Sequence, residues 1–251
     1  MRLRKYKEIN LVLSGGAAKG IAHIGVLKAI NELGIKVRAV SGVSAGAIIS
    51  VFYASGYSPE GMFSLLKQVN WFKLFKFKPP LKGLIGWEKA ISFLEEVLPY
   101  RRLEKLEIPT YICATDLYSG KALYFSEGKL IPALLGSCAI PGIFEPVAYD
   151  KYLLVDGGVV NNLPVEPFQG SDIPTVCVDV LPIEEEKNIK NILHILLRSF
   201  FLAVRSNSEK RREFCNLVIV PELENFSPLD VKKADQIMER GYRKALEILS
   251  E

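Results

Sequence analysis

The sequence predicts an α/β protein of three layers, in which helices cover both faces of a mostly parallel central sheet. Two observations support this prediction. Strands alternate with helical patterns from the start of the chain, and these strands are apolar along their whole length. The alternation predicts an α/β fold, and continuously apolar strands are typical of a parallel sheet buried on both faces. The length of 251 residues suits one domain.

The first elements follow in a regular order. Residues 9–13 form an apolar strand, and the loop 14–20 leads into a helix that ends at Gly34. A strand at 37–41 and a helix over about 45–54 come next. Ser58 and Pro59 then begin another helix, because serine is a frequent N-cap and proline favours the first helical turn.

The rest of the chain continues the alternation. We expect a helix over 87–97, a hairpin of strands 110–115 and 121–125, strands at 152–155, 175–181 and 217–220, and helices at 189–204 and about 229–249. The prediction is therefore a single domain over residues 1–251. Its motifs lie within 9–168, and residues 169–251 complete the same domain.

Composition favours a cytoplasmic protein without a metal or cofactor. The cysteines are scattered and form no Cys-x-x-Cys, which predicts reduced thiols and no structural metal: Cys113, Cys138, Cys177 and Cys215. The apolar run after the basic N-terminus is too short for a signal peptide, and the stretch 189–204 is too short to span a membrane. A net charge of +4 permits contact with an anionic surface without requiring it.

Gly42-Val43-Ser44-Ala45-Gly46 lies between a predicted strand and a predicted helix. A Gly-x-Ser-x-Gly in this context is typical of a nucleophile elbow, a turn so tight that the flanking positions must be glycine. The pattern alone equally describes an ordinary tight turn.

A serine nucleophile needs a base, and the histidines are weak candidates. His194 falls on the polar face of its predicted helix, near Arg198, and is expected to be solvated, whereas His23 shares an apolar face with its neighbours and is expected to be packed. The order Ser44, Asp156, His194 formally matches an α/β-hydrolase triad. Here, however, the serine follows the second strand, whereas in that fold it follows several.

Asp156 is the remaining candidate. It follows a strand and precedes Gly157 and Gly158, and strand ends on one edge of a doubly wound sheet converge, so Ser44 and Asp156 can meet there. An aspartate is a poor base at neutral pH unless its surroundings raise its pKa. The alternative is that Asp156 only caps a β-turn, as Asp-Gly often does.

The loop from Gly15 to Gly20 opens onto a helix N-terminus, where free N–H groups can bind an anion. It lacks the Gly-Lys-Ser/Thr of a Walker loop and the Gly-x-Gly-x-x-Gly of a dinucleotide site, which argues against nucleotide binding. An oxyanion hole fits better. Lys19 is expected to be solvated.

Together these segments resemble the patatin-like phospholipase family. The matching pieces occur in order: LSGGAAKG at 13–20, AHIGVL at 22–27, GVSAG at 42–46, ATDL at 114–117 with Gly120, AIPGIFEPV at 139–147, VDGG at 155–158 and NLPV at 162–165. Such an ordered set is far more specific than any single motif.

The resemblance implies a patatin-like fold and a serine lipid acyl hydrolase that needs no cofactor. Ser44 would be the nucleophile, Asp156 its base, and the N–H groups around Gly15, Gly16 and Ala17 the oxyanion hole. The motif-supporting positions would be Gly42, Gly46, Lys19, Gly20, Gly157 and Gly158. One departure is Ala17, where the family usually has glycine, because a donor there that needs a positive φ would be strained.

Two questions stay open at this stage. The segment 71–82 alternates aromatic residues with lysines, which suits peripheral contact with the inner membrane surface but equally suits a loop that covers the core. The alternatives to a Ser–Asp hydrolase are a non-catalytic lipid- or protein-binding regulator that keeps the fold, and an esterase assisted by His194. We expect an acyl-ester substrate and no nucleic acid, and no calcium loop is visible.

Overall fold

The computed structural model describes residues 6–69, 76–77, 84–181, 189 and 191–250. Its strands are β1 (Glu8–Leu13), β2 (Lys36–Val43), β3 (Lys76–Phe77), β4 (Ile85–Gly86), β5 (Thr110–Asp116), β6 (Lys121–Phe125), β7 (Val147–Tyr149), β8 (Tyr152–Asp156), β9 (Thr175–Val178) and β10 (Leu217–Ile219). Its α-helices are α1 (Ala22–Glu32), α2 (Ala45–Ala54), α3 (Pro59–Gln68), α4 (Glu88–Val97), α5 (Leu130–Ser137), α6 (Ile192–Arg211) and α7 (Ala234–Leu249).

The central sheet has the strand order β10-β9-β1-β2-β5-β8-β7, with β6 also paired to β5. The pairs from β10 to β5 are parallel, whereas β6, β7 and β8 pair in antiparallel fashion. The predicted α/β class is confirmed, and the parallel part of the sheet holds the first two strands of the chain. The antiparallel part joins it at β5.

Strand β5 aligns the ends of two other strands. Its residues Thr110–Cys113 pair with β2, and its residues Ala114–Asp116 pair with β8. Because β6 pairs with Ile112–Asp116 and so occupies the opposite edge, β2 and β8 lie along the same edge of β5. The two strands run in opposite directions, so their carboxyl ends meet head to head. Val43 pairs with Cys113, and Asp156 pairs with the next residue, Ala114.

The two faces of the sheet bury different clusters. On β1, Leu11 and Leu13 pack in the main core with the apolar faces of α1, α2 and α7, whereas Val12 faces a smaller cluster that includes Leu163 and Phe168. This follows from the period of two along a strand. Helix α7 lies so close to α1 that a methyl group on Gly241 would lie 2.0 Å from the carbonyl oxygen of Ala22.

The prediction that all the cysteines are reduced is wrong for two of them. Cys177 and Cys215 form a disulfide across 38 residues, with their Cα atoms 5.9 Å apart. Cys177 lies on β9 opposite Val218 of β10, and Cys215 lies two residues before the start of that strand. Parallel pairing brings them together, and sequence spacing alone does not reveal it. Cysteine usage therefore no longer supports a reducing compartment.

The predicted helix at 189–204 is also corrected, since α6 covers Ile192–Arg211. Val204 is buried as expected, but Ile189, Ile192 and Leu196, which were assigned to its buried stripe, are 47%, 75% and 58% exposed. Among the described residues of the helix, the buried side chains are Phe201, Val204 and Ser208, which lie from its middle onward. No helix in the described part of the chain is long and apolar enough to cross a membrane.

The segment predicted to contact lipid or to cover the core lies mostly outside the described residues. Within it, the structure describes only β3, which pairs antiparallel with β4. Both alternatives for residues 71–82 therefore stay predictions.

Candidate active site

Ser44 lies in a sharp turn between β2 and α2. Its backbone has φ +52° and ψ −123°, a conformation that costs a non-glycine residue on the order of 1–3 kcal/mol. The flanking glycines are sterically required, because a methyl group on Gly46 would lie 2.2 Å from the Leu13 carbonyl oxygen, and one on Gly42 2.6 Å from the Gly46 oxygen. The turn therefore has the geometry of a nucleophile elbow.

The C-terminal end of α5 holds this strained turn in place. The N–H of Ser44 donates to Ser137 Oγ at 2.9 Å, and that hydroxyl donates to the carbonyl oxygen of Cys113 at 2.6 Å. The thiol of Cys138 donates to the carbonyl oxygen of Ser44 at 3.4 Å. Both polar groups of the Ser44 backbone are thus engaged by adjacent residues.

Asp156 ends β8 and is 2% exposed. Its Oδ1 accepts the N–H of Gly158 at 2.8 Å, whereas no donor among the described residues reaches Oδ2 with ordinary hydrogen-bond geometry. Burial raises the pKa of Asp156 to about 7, although hydrogen bonding from the Ser44 hydroxyl and the Gly158 amide opposes this shift. The Ser44 hydroxyl therefore faces the carboxyl group, and this contact is looser than a standard hydrogen bond.

The glycine loop runs beside the elbow. The N–H of Gly15 donates to Asn162 Oδ1 at 3.1 Å, and Asn162 Nδ2 donates to Ser208 Oγ at 3.1 Å. Among the hydrogen bonds of the described residues, none uses the N–H of Gly16 or Ala17. The loop is close to the serine, because a methyl group on Gly15 would lie 3.2 Å from Ser44 Cβ.

Ala17 occupies a position that favours glycine. Its φ is +50°, and the left-handed region costs an L-residue roughly 1–2 kcal/mol because Cβ approaches the following carbonyl oxygen. The condition that the sequence analysis attached to Ala17, a positive φ, is therefore met in the structure.

The prediction that Lys19 is solvated is wrong, since its side chain is 4% exposed. It belongs to a 3-10 helix, Ala17–Ile21, that is enclosed by neighbouring segments. Burial disfavours the charge of Asp230, yet the Ser227 amide, Lys233 and Lys19 together lower the pKa of that carboxyl group. Lys19 is thus near enough to Asp230 for its charge to act on that carboxyl group.

The two histidines are held in different parts of the structure. His23 is fully buried as expected, with Nε2 2.8 Å from the Ser14 carbonyl oxygen, and burial lowers its pKa to about 4. His194 is half-buried rather than solvated and lies in the first turn of α6. Val204, which faces Gly158, is ten residues further on, about 15 Å along the helix axis.

An apolar cavity of about 490 Å³ opens next to the elbow. Ser44, Ala17 and Cys138 contribute to its wall near the turn. The rest of the lining is almost entirely apolar and includes Ile48, Phe52, Met62, Leu65, Phe93, Leu134, Phe144, Leu197, Phe201 and Leu229. A cavity of this size and polarity suits an aliphatic ligand.

Sequence reasoning missed the residues that position the turn. Ser137 and Cys138 immediately precede the matched segment 139–147, but nothing in their spacing shows that they contact Ser44. Asn162 belongs to the matched segment 162–165, and its contact with Gly15 spans 147 residues. The cavity was not predicted either, because its lining comes from many separate elements.

Comparison with known proteins relates the chain to a described family. The sequence profile of the family described as "Patatin-like phospholipase" matches residues 11–168. An uncharacterised NTE family protein from Mycobacterium tuberculosis is 34% identical over 164 residues, which are 64% of this chain and 46% of that protein. Lysophospholipase NTE1 from Lodderomyces elongisporus is 23% identical over 283 residues, covering 100% of this chain and 20% of that protein.

Among solved structures, VipD from Legionella pneumophila has a similar fold, with a TM-score of 0.61 and 15% identity over 98% of this chain and 67% of that one. The chain spans 46% of the mycobacterial relative and 20% of the fungal one.

We predict that Ala17→Gly stabilises the protein by about 1 kcal/mol, because glycine relieves the penalty of the positive φ. The measurement is chemical denaturation. Ala18→Gly in the same turn is the matched control, since Ala18 has no positive φ, and it should lower the free energy of unfolding by about 0.5–1 kcal/mol. Equal destabilisation by both changes would contradict the strain at Ala17.

We predict that Ser137→Ala slows the labelling of Ser44 by a fluorophosphonate at least tenfold, because the Ser44 N–H loses the acceptor that fixes the turn. Ser50→Ala is the matched control, since Ser50 is also fully buried and bonds the Gly46 carbonyl oxygen at 2.8 Å rather than Ser44. Each change should cost about 1–3 kcal/mol of stability. Similar labelling rates in the two variants would show that Ser137 is merely structural.

Proposed function

Because the chain belongs to the patatin-like phospholipase family, we propose that it is a serine lipid acyl hydrolase that cleaves carboxylic esters of phospholipids or lysophospholipids. The observation that carries this proposal is the Ser44 hydroxyl facing a buried Asp156 whose pKa is about 7, at the wall of an apolar cavity. A nucleophile, a base with a pKa near neutrality and a place for an acyl chain thus lie together.

In the first step, the Asp156 carboxylate accepts the Ser44 proton while Ser44 Oγ attacks the ester carbonyl carbon. The tetrahedral intermediate then collapses to an acyl-enzyme, and Asp156 returns the proton to the departing alcohol oxygen. In the second step a water molecule attacks the acyl carbon and gives a proton to Asp156, which forms a second tetrahedral intermediate. This intermediate collapses with cleavage of the bond to Ser44 Oγ, Asp156 returns the proton to Ser44, and the fatty acid leaves. The loose contact between the Ser44 hydroxyl and the Asp156 carboxyl group is compatible with this role, since catalytic hydrogen bonds often tighten only when substrate binds.

The oxyanion is assigned to the N–H groups of Gly16 and Ala17. The Gly15 amide is already occupied by Asn162, so its part is to hold the loop rather than to bind the oxyanion. Donors that are fixed before the reaction stabilise the developing charge without reorganisation, and removing one such donor typically costs about 3 kcal/mol.

The apolar cavity is assigned to the acyl chain. Its wall includes Ser44 itself, so a chain lying in the cavity places its carboxyl end at the hydroxyl.

The strands β9 and β10 join the sheet that carries the site, and α7 packs on α1. These contacts support the further proposal that residues 1–251 form one domain.

The first test is a set of variants assayed with an activated short-chain ester and a fluorophosphonate probe. We expect Ser44→Ala to lose labelling and turnover entirely and Asp156→Asn to lose at least a thousandfold in kcat, because no other base in the described part of the chain faces the hydroxyl. His194→Ala should retain wild-type rates. Loss of activity in His194→Ala would support a triad of Ser44, Asp156 and His194. An unlabelled wild type would favour the non-catalytic regulator.

The second test is pH dependence. Asp156 must be ionised to accept a proton, so kcat/KM should fall tenfold per pH unit below about 7 and level off above it. A plateau that extends down to pH 5 would contradict this assignment.

The ionisation of Asp156 should also change the free energy of unfolding. Between pH 4 and 7 the folded protein keeps a proton on Asp156 that the unfolded chain releases, so this group lowers the free energy of unfolding as pH rises through that window. The full effect is on the order of 4 kcal/mol. Asp156→Asn, which cannot ionise, should therefore be more stable than the wild type at pH 8 and lose this difference near pH 4.

A further inference from the structure

His23 is a buried titratable side chain that takes no part in the proposed proton transfers. It lies in the first turn of α1 and is fully buried, and desolvation lowers its pKa to about 4, so the ring is neutral at pH 7. Its Nε2 lies 2.8 Å from the carbonyl oxygen of Ser14. Because a carbonyl oxygen only accepts, Nε2 carries the single ring proton. Nδ1 is then unprotonated, and among the described residues it has no hydrogen-bond partner.

The oxygen that His23 binds belongs to the peptide group at the start of the glycine loop. The N–H of the same peptide group is that of Gly15, which donates to Asn162 Oδ1 at 3.1 Å. Among the hydrogen bonds of the described residues, no second donor reaches the Ser14 oxygen. A peptide group is planar, so a bond at each of its two polar ends fixes its orientation.

Ser14 also bonds to the end of β9 and to the segment after it. Its N–H donates to the carbonyl oxygen of Val178 at 3.0 Å, and its Oγ accepts the N–H of Val180 at 3.0 Å. Its carbonyl oxygen packs against the elbow, since a methyl group on Gly46 would lie 2.6 Å from it. The peptide group that His23 holds is therefore in contact with the turn that carries Ser44.

The other end of the glycine loop is held by the backbone. The N–H of Ala18 donates to the carbonyl oxygen of Pro228 at 2.9 Å. Between the two ends lie the N–H groups of Gly16 and Ala17, to which the proposed mechanism assigns the oxyanion. The directions of these two N–H groups depend on how both ends of the loop are fixed, and His23 binds the end that contacts the elbow.

We propose that His23 is a positioning residue of the oxyanion hole. Its Nε2–H holds the Ser14 carbonyl group, and the N–H groups of Gly16 and Ala17 are thereby directed toward the oxyanion. This inference rests on the proposed function. His23 is not among the residues that line the cavity, so it acts through the loop. A histidine that only filled space could be replaced by any side chain of similar size, whereas this role requires a donor at the position of Nε2.

The experiment compares His23→Gln, His23→Asn and His23→Leu with the wild type on an activated short-chain ester. The amide nitrogen of glutamine reaches about the position of histidine Nε2, whereas that of asparagine reaches only about the position of Nδ1. We expect His23→Gln to keep kcat within about fivefold of the wild type, and the other two variants to lose about a hundredfold, because misplaced donors stabilise the oxyanion poorly. KM should change less than about twofold, since the ground state carries no oxyanion. The two amide variants decide the result by themselves if His23→Leu does not fold.

A second measurement separates the oxyanion hole from the cavity. A fatty trifluoromethyl ketone accepts Ser44 Oγ at its carbonyl carbon while the Ser44 proton passes to Asp156, and the carbonyl oxygen becomes an oxyanion. Its inhibition constant should rise in proportion to the loss of kcat/KM in His23→Asn and His23→Leu. A saturated fatty alcohol forms no oxyanion, so its dissociation constant should stay within about twofold of the wild-type value. Weaker binding of both ligands would show a general distortion and would overturn the assignment.

The native side chain provides a further test. The sequence contains two histidines, and comparison with His194→Ala identifies the resonances of His23 in a nitrogen NMR spectrum. At pH 7 we expect a neutral ring with its proton on Nε2. A proton on Nδ1 would overturn the assignment, because the Ser14 oxygen would then have no donor.

The remaining outcomes distinguish this inference from the proposed function. Equal kcat values in the glutamine, asparagine and leucine variants would refute the positioning role, and so would a change in KM alone. An active wild type whose kcat is unchanged by His23→Leu would refute only the role of His23. A wild type without esterase activity would refute the proposed function and the role of His23 with it.

Discussion

The arrangement of the site depends on one edge of β5. A strand edge normally pairs with one neighbour, but this edge pairs first with β2 and then, from the next residue on, with β8. The backbone hydrogen bonds of Cys113 and Ala114 therefore fix where both neighbours end. Ser44 follows the end of β2, and Asp156 is the end of β8. Two residues that are 112 positions apart in sequence are thus held on a common template, and no side chain is needed to bring them together.

This template explains the density of small residues around the site. Where two strands end against each other, the chain must turn away at once, and the turns pass within contact distance of the sheet. A methyl group on Gly157 would lie 2.4 Å from the Cys113 carbonyl oxygen, and one on Gly46 would reach the end of β1. Ser137 also bonds to this part of β5, since its Oγ accepts the N–H of Ser44 and donates to the carbonyl oxygen of Cys113. The strain of the elbow is therefore opposed by bonds to the strand that positions it.

Sequence reasoning succeeded where a local pattern determines local structure. The strand–turn–helix around Ser44, the N-cap at Ser58 and the hairpin at Gly120 have signals within a few residues, and the structure contains all three. It failed where the outcome depends on distant partners. The burial of Lys19, the Cys177–Cys215 bond and the contact between Gly15 and Asn162 each join segments far apart in sequence. The prediction that the apolar stripe of α6 is buried was wrong for another reason. Periodicity identifies an apolar face of a helix without identifying what covers it.

The pKa values at the site follow from the burial of its side chains. Desolvation lowers the pKa of His23 to about 4 and raises the pKa of Asp156 to about 7, so His23 is neutral wherever Asp156 is ionised. Burial, with the nearby charge of Asp156, also raises the pKa of the Cys138 thiol, which keeps its proton available for the Ser44 carbonyl oxygen. Asp156 is then left as the group beside Ser44 whose charge changes near neutrality. A dry surrounding that destabilises this carboxylate makes it a stronger proton acceptor, so the cost in folding stability and the basicity toward serine have one physical origin.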